Sequence, residues 1–105
     1  MKISIENLDD YIYARDMKLI KNPRDDFSCL FTFYVEDGPE FREKLKKDRN
    51  LREKYYFMKN KVFCGEEYER MNQEQISEVY DRFAKTNGLE KELAVIRKIS
   101  KYRSN

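Results

Sequence analysis

The sequence predicts an α+β fold, with a small antiparallel sheet around a central strand over residues 27–35, helices packed against it, and a C-terminal helical hairpin over about residues 73–100. Three observations predict this fold. The segment FSCLFTFYV alternates between two faces of an extended chain, apolar residues in the middle third recur at helical spacing, and start and stop signals bracket a helix in the last third. The chain of 105 residues is expected to form a single domain, 1–105, with a frayed tail over 101–105.

The composition is typical of a folded protein despite its charge. Charged residues make up 40% of the chain, but eight tyrosines and seven phenylalanines are spread along it. Disordered chains are poor in aromatic residues. We therefore expect a highly charged domain with a real core.

The first twenty residues are compatible with two structures. Residues 2–5 alternate and predict a short strand. Asn7 suits the N-cap of a helix because acidic residues follow in its first turn. The alternative is a strand over residues 11–20 that forms a hairpin with residues 27–35, and we favour the helix.

The central strand has two different faces. One face must be core, whereas the other is amphipathic and is either partly covered or a contact surface. The core face carries Phe27, Cys29, Phe31, Phe33 and Val35, and the other carries Ser28, Leu30, Thr32 and Tyr34. Asp37 and Gly38 are expected to end the strand, and Pro39 suits the first turn of a helix.

Two helical stripes out of phase with each other follow, so we expect a break near residues 48–50. Residues 62–65, VFCG, are short and predict either a third strand or an apolar plug. The stripe residues are Phe41 and Leu45 in the first helix and Leu51, Tyr55, Met58 and Val62 in the second.

The last third carries the clearest local signals. Asn72 and Gln75 have the spacing of a capping box, and Met71 and Ile76 that of a hydrophobic staple. Gly88 stands where a left-handed residue ends a helix. A second apolar stripe starts directly after it and completes the predicted hairpin.

Several chemistries are excluded or disfavoured by residue content. The chain has no histidine and no CxxC motif, so imidazole-based catalysis and the usual zinc ligand sets are absent. Cys29 and Cys64 each lie in an apolar run, and we expect both to be buried, reduced thiols. Paired acids and the D-x-K triplet over residues 16–18 resemble parts of metal-dependent nuclease sites, but such patterns arise by chance in so charged a chain. We therefore predict no catalytic residues, no metal and no cofactor.

Charge is arranged in blocks, and the most basic block is the candidate contact surface. Residues 42–61 hold nine basic and three acidic side chains, and acidic blocks lie on either side. Tyr56 lies one residue off the apolar stripe, so it is expected to face the flank or the basic face of the helix. The candidate partner-binding residues are Lys46, Lys47, Arg49, Arg52, Lys54, Tyr56, Lys59 and Lys61, together with Tyr34 on the second face of the strand.

These features predict a small, non-enzymatic interaction or regulatory protein, such as a modulator or inhibitor encoded by a phage or mobile element. Its partner is expected to be a larger protein with an acidic surface. The alternative is a nucleic-acid-binding accessory protein that uses residues 42–61 and the basic C-terminus. No apolar run of about 18 residues and no signal peptide occur in the sequence, so we expect a cytoplasmic protein without membrane contact.

Overall fold

The computed structural model describes residues 5–88, and in this part of the chain every regular element is helical. The predicted α+β fold with an antiparallel sheet is therefore wrong for the described residues. The helices are α1 (Leu8–Asp16), α2 (Pro23–Glu36), α3 (Gly38–Lys44), α4 (Arg49–Phe57) and α5 (Gln73–Phe83), and α4 continues into a π-helical turn over Met58–Val62.

The segment predicted as the central strand is instead the second half of α2. Asn22 caps this helix by accepting a hydrogen bond from the backbone N–H of Arg24 at 2.8 Å, and Pro23 occupies its first turn. All residues from 30 to 35 are buried, because α2 packs against α3, α4, the π-helical turn and α5. A helix covered on all sides is apolar on all sides, so its sequence does not show helical periodicity.

The core is an aromatic cluster centred on Phe63. Its ring lies 4.4 Å from that of Tyr34, 5.0 Å from that of Phe31 and 5.0 Å from that of Phe83, measured between centroids. Within residues 62–65 only Val62 and Phe63 are buried, so the apolar plug that the sequence allowed consists of these two residues, and the third-strand alternative is wrong.

The first described helix agrees with the favoured alternative. The side chain of Asn7 accepts a hydrogen bond from the backbone N–H of Asp10 at 2.8 Å, and Leu8, Tyr11 and Ala14 face the core. A strand over residues 11–20 is thus wrong. Most of the strand predicted over residues 2–5 lies outside the described residues.

The predicted break in the basic segment occurs slightly earlier than expected, between the end of α3 and the start of α4. Asp48 caps α4 by accepting a hydrogen bond from the N–H of Leu51 at 3.1 Å. It also pairs with Arg15 of α1, whose guanidinium lies 2.8 Å from the carboxylate. The hydrogen bond from Arg15 lowers the pKa of Asp48, and this ion pair fixes the turn against α1.

The capping box predicted at the start of α5 is confirmed. Asn72 accepts from the N–H of Gln75 at 2.9 Å, and the side chain of Gln75 accepts from the N–H of Asn72 at 3.0 Å. Gly88 has the expected left-handed φ of +67°, but it does not end the helix, because α5 ends at Phe83 and residues 84–88 form a turn. The second helix of the predicted hairpin and the predicted tail over 101–105 lie outside the described residues.

The two cysteines occupy different environments, so the expectation that both are buried is wrong. Cys64 is exposed, because the chain turns outward after Phe63 with Cys64 at a φ of +55°. Cys29 is partly covered on α2, and burial raises the pKa of its thiol to about 12. The thiolate is the reactive form, so Cys29 is the protected thiol.

We expect one fast and one slow thiol in a reaction with Ellman's reagent at about pH 8, where a normal thiol is partly ionised. Cys64→Ser should remove the fast phase, and Cys29→Ser should leave it unchanged. Fast labelling that survives in Cys64→Ser would contradict this assignment.

Candidate functional site

Residues from both helices of the basic segment line an open groove, which we call the α3–α4 groove. It has a volume of about 360 Å³, within the lower part of the range of small ligand sites. It forms because α3 ends at Lys44 and the chain reverses before α4. Its lining consists of Arg42, Leu45, Lys46, Arg52, Tyr55, Tyr56 and Glu67.

The floor of the groove is a hydrogen-bonded set of Arg42, Tyr55 and Glu67. The Tyr55 hydroxyl donates to the Glu67 carboxylate and accepts from Nη1 of Arg42 at 3.3 Å. The Tyr55 bond lowers the pKa of Glu67, and burial raises the pKa of Tyr55 to about 12. Near neutral pH the floor therefore holds a charged carboxylate and a neutral phenol, which suits binding better than proton transfer.

The carboxylate on the floor is balanced by nearby cations. Nζ of Lys59 lies 3.4 Å from Glu67, on the π-helical turn. Arg42 also reaches the backbone oxygen of Tyr68 at 3.2 Å and the carboxylate of Glu69 at 2.8 Å. Arg42 is therefore a structural cation that ties the loop before α5 to α3.

The rim of the groove presents two further cations beside an aromatic ring. Nη2 of Arg52 donates to the carbonyl of Leu45 at 3.1 Å, which holds the guanidinium at the groove. Nζ of Lys46 lies 3.1 Å from Glu43, an exposed pair that contributes little to stability. Tyr56 has an exposed fraction of 48%, and its ring meets the ring of Tyr55 edge-on at 5.6 Å.

Three of the sequence-predicted residues, Lys46, Arg52 and Tyr56, meet in the groove. Lys47 lies exposed in the turn, and Arg49 begins α4 with a long ion pair of 3.7 Å to Glu53. Of the other basic candidates, Lys59 neutralises Glu67, and Lys61 is exposed on the π-helical turn.

Lys54 does not belong to this surface. Its Nζ lies 2.8 Å from the hydroxyl of Tyr11 and 3.3 Å from both carboxylate oxygens of Asp26. The Tyr11 hydroxyl in turn donates to Asp26 at 2.6 Å. Lys54 therefore joins α1, α2 and α4 in a partly buried polar contact, which was hidden from sequence because it depends on how the helices pack.

Tyr34 is in the core, with an exposed fraction of 1%. Its hydroxyl donates to the backbone oxygen of Glu66 at 2.5 Å, and its ring stacks on Phe63. It was placed on a contact face only because α2 was predicted as a strand. It therefore does not contribute to the groove.

Phe57 is a further exposed aromatic residue of α4 that was not among the sequence-predicted candidates. Its exposed fraction is 53%, and it follows Tyr56 directly on α4. Two positions along a helix correspond to a rotation of roughly 200°, so Phe57 points away from the buried Tyr55. Phe57, like Tyr56, lies off the apolar stripe through Tyr55, and this position in the sequence already indicated that its side chain is exposed.

Phe57 also borders a second cavity of about 310 Å³ between α2 and α4. Phe27 and Leu30 of α2 form part of its apolar wall, and Asp26 and Lys54 supply charge. Asp26 and Lys54 are paired with each other, and Glu53 also lines the cavity, so its lining carries a net charge of −1 and does not favour an anion.

Comparisons of the chain with family models, curated proteins and solved structures gave no match. Within residues 5–88 no group of three or more metal-ligating side chains is close enough to hold an ion. None of the helices described in that range is long and apolar enough to cross a membrane.

Proposed function

We propose that this protein is a small, non-enzymatic interaction protein of the cytoplasm that modulates or inhibits a larger protein by binding an acidic surface on it. One observation carries the proposal: Tyr56 and Phe57 are consecutive on α4 and about half exposed, and Tyr56 lines the α3–α4 groove beside its cations. Aromatic residues and arginine are enriched at the centres of protein interfaces. We define Tyr56 and Phe57 as the aromatic pair.

The charge around the aromatic pair supports a protein partner over nucleic acid. Glu43, Glu53 and Glu67 lie among the basic side chains, and two of the basic candidates, Lys54 and Lys59, are held by carboxylates. Nucleic-acid surfaces depend on many free cations that neutralise successive phosphates. A mixed surface suits electrostatic steering onto a folded acidic partner.

The abundance of tyrosine gives weaker support than the sequence suggested. Tyr11, Tyr34, Tyr55 and Tyr80 are all buried in the described core. The hydroxyls of Tyr11, Tyr55 and Tyr80 each donate to a carboxylate, and that of Tyr34 donates to a backbone carbonyl. Four of the seven tyrosines in residues 5–88 are thus core residues with a satisfied hydroxyl, and the proposal depends on the exposed ones.

Tyr56→Ala is expected to weaken partner binding by about 2 kcal/mol, roughly thirtyfold, because a desolvated aromatic anchor is lost. The measurement is affinity capture from a lysate of the source cells on the immobilised chain, with and without nuclease, followed by binding kinetics of the captured protein. The weaker affinity should result from a faster dissociation rate, with little change in the association rate.

Tyr13→Ala is the matched control, since Tyr13 is also an exposed tyrosine, on α1. It should retain the partner as the unchanged chain does. Capture that disappears after nuclease treatment would overturn the protein-binding proposal and favour the nucleic-acid alternative. Equal losses in both tyrosine variants would also contradict it.

A further inference from the structure

We propose that the α3–α4 groove is a carboxylate-binding subsite that receives one aspartate or glutamate side chain from an acidic, extended segment of the partner. This inference rests on the proposed function and names the chemistry that the groove recognises. The lining contains three basic side chains and one acidic one, so its net charge is +2. An anion is the complementary occupant.

Arg52 is the residue that would orient the carboxylate. Its guanidinium is held at the groove by one hydrogen bond from Nη2 to the carbonyl of Leu45. A guanidinium has five N–H donors, so others remain to form a paired contact with a carboxylate. Lys46 supplies a second cation on a flexible stem, and its exposed contact with Glu43 exchanges readily for a ligand.

Arg42 and Glu67 shape the floor and do not themselves take the ligand. Arg42 is engaged by Tyr55, Tyr68 and Glu69. Glu67 keeps its negative charge because Tyr55 and Lys59 stabilise it. The fixed carboxylate limits how much negative charge the groove accepts.

That limit favours a carboxylate over a phosphate. A carboxylate carries one negative charge, whereas a phosphate monoester carries about 1.5 to 2 at neutral pH. The more highly charged group would meet more repulsion from Glu67. The volume of about 360 Å³ also fits one or two side chains, not a stacked series of nucleotides.

The aromatic pair gives the subsite its sequence preference. Tyr56 forms one edge of the groove, and Phe57 follows on the adjacent surface of α4. An apolar residue beside the bound acid would cover the Tyr56 ring and shield the ion pair from water. The preferred occupant is therefore a short acidic segment with an apolar residue between or beside its carboxylates.

The test is an NMR titration of the isotope-labelled full chain with the unlabelled peptide Gly-Ser-Glu-Leu-Glu-Gly-Ser. The amide signals of Arg52 and Tyr56 are expected to shift with this peptide and not with its Gln-Leu-Gln counterpart. Arg52→Gln should weaken the binding about tenfold, as expected for loss of one charge-assisted hydrogen bond. Because Arg52 is exposed, the variant should keep the fold, and its own amide spectrum checks this.

Lys85→Gln is the matched control, because it removes one exposed positive charge that does not line the groove. It should bind the peptide as the unchanged chain does. Binding by Arg52→Gln equal to that of the unchanged chain, or no shift at millimolar peptide, would overturn the subsite. Inorganic phosphate that shifts the same amides at lower concentration would overturn the preference for a carboxylate.

The subsite and the proposed function fail in distinguishable ways. If the peptide does not bind but Tyr56-dependent capture of a protein persists, the subsite is wrong and the function stands. If the peptide binds in an Arg52-dependent manner but the unchanged chain captures no protein after nuclease treatment, the proposed function is wrong and the subsite stands.

Discussion

Replacing Phe63 by alanine is expected to lower the free energy of unfolding by about 3–5 kcal/mol, the cost of a large cavity in a packed core. Phe63 has an exposed fraction of 0%, and its ring contacts those of Phe31, Tyr34 and Phe83. These neighbours belong to α2 and α5, so the cavity would open between both helices and the plug. The measurement is a denaturant titration followed by circular dichroism.

Phe57→Ala is the matched control, since the same atoms are removed from a ring that is about half exposed. It should lower the free energy of unfolding by no more than about 1 kcal/mol, because substitutions at exposed positions have small effects on stability. Equal losses for the two variants would mean that the aromatic cluster around Phe63 is not the core.

Gly38→Ala is expected to lower the free energy of unfolding by about 1–3 kcal/mol through overpacking. A Cβ at this position would lie 2.2 Å from the backbone oxygen of Tyr68. The obstacle is backbone, so no side-chain rotation relieves it. Since Nη1 of Arg42 donates to the same oxygen, the shift would also disturb the loop that carries Glu67 into the groove.

The control for this variant is Gly88→Ala, which adds the same methyl group where no atom lies within 4 Å. It should lower the free energy of unfolding by about 1 kcal/mol, and only because alanine is disfavoured at the left-handed φ of +67°. In an amide NMR spectrum Gly38→Ala should shift the signals around Tyr68 and Glu67, and Gly88→Ala should not. A Gly38→Ala protein as stable as the unchanged chain would contradict the close approach of α3 to this loop.

The sequence was sufficient wherever structure depends on bonds within a few residues. Asn7 and the capping box of Asn72 and Gln75 satisfy backbone N–H groups three residues away, so their effect is visible in any window of sequence. The apolar stripe through Leu51 and Tyr55 likewise placed Tyr56 outside the core. Composition also excluded histidine chemistry.

The sequence was insufficient where a segment is surrounded by its neighbours. Residues 27–35 alternate because phenylalanines stand at three of the odd positions, but Leu30, Thr32 and Tyr34 at the even positions are buried as well. With apolar residues on every side, neither a period of 2 nor one of 3.6 distinguishes strand from helix. The contacts of α2 with three other helices decide the outcome.

For the candidate site, too, some properties followed from the sequence and others only from the packing of the helices. Its residue types and their position in a basic segment were evident from sequence, but their orientation was not. Lys54 pairs with Asp26 across 28 residues, and Tyr34 bonds to Glu66 across 32. Lysine and tyrosine side chains both have a long apolar part and a polar tip. Either can therefore lie at an interface, or be buried with its polar tip bonded to a residue far away in the sequence. Only the packing of the helices supplies that partner, and only this packing forms the groove from α3, α4 and the loop that carries Glu67.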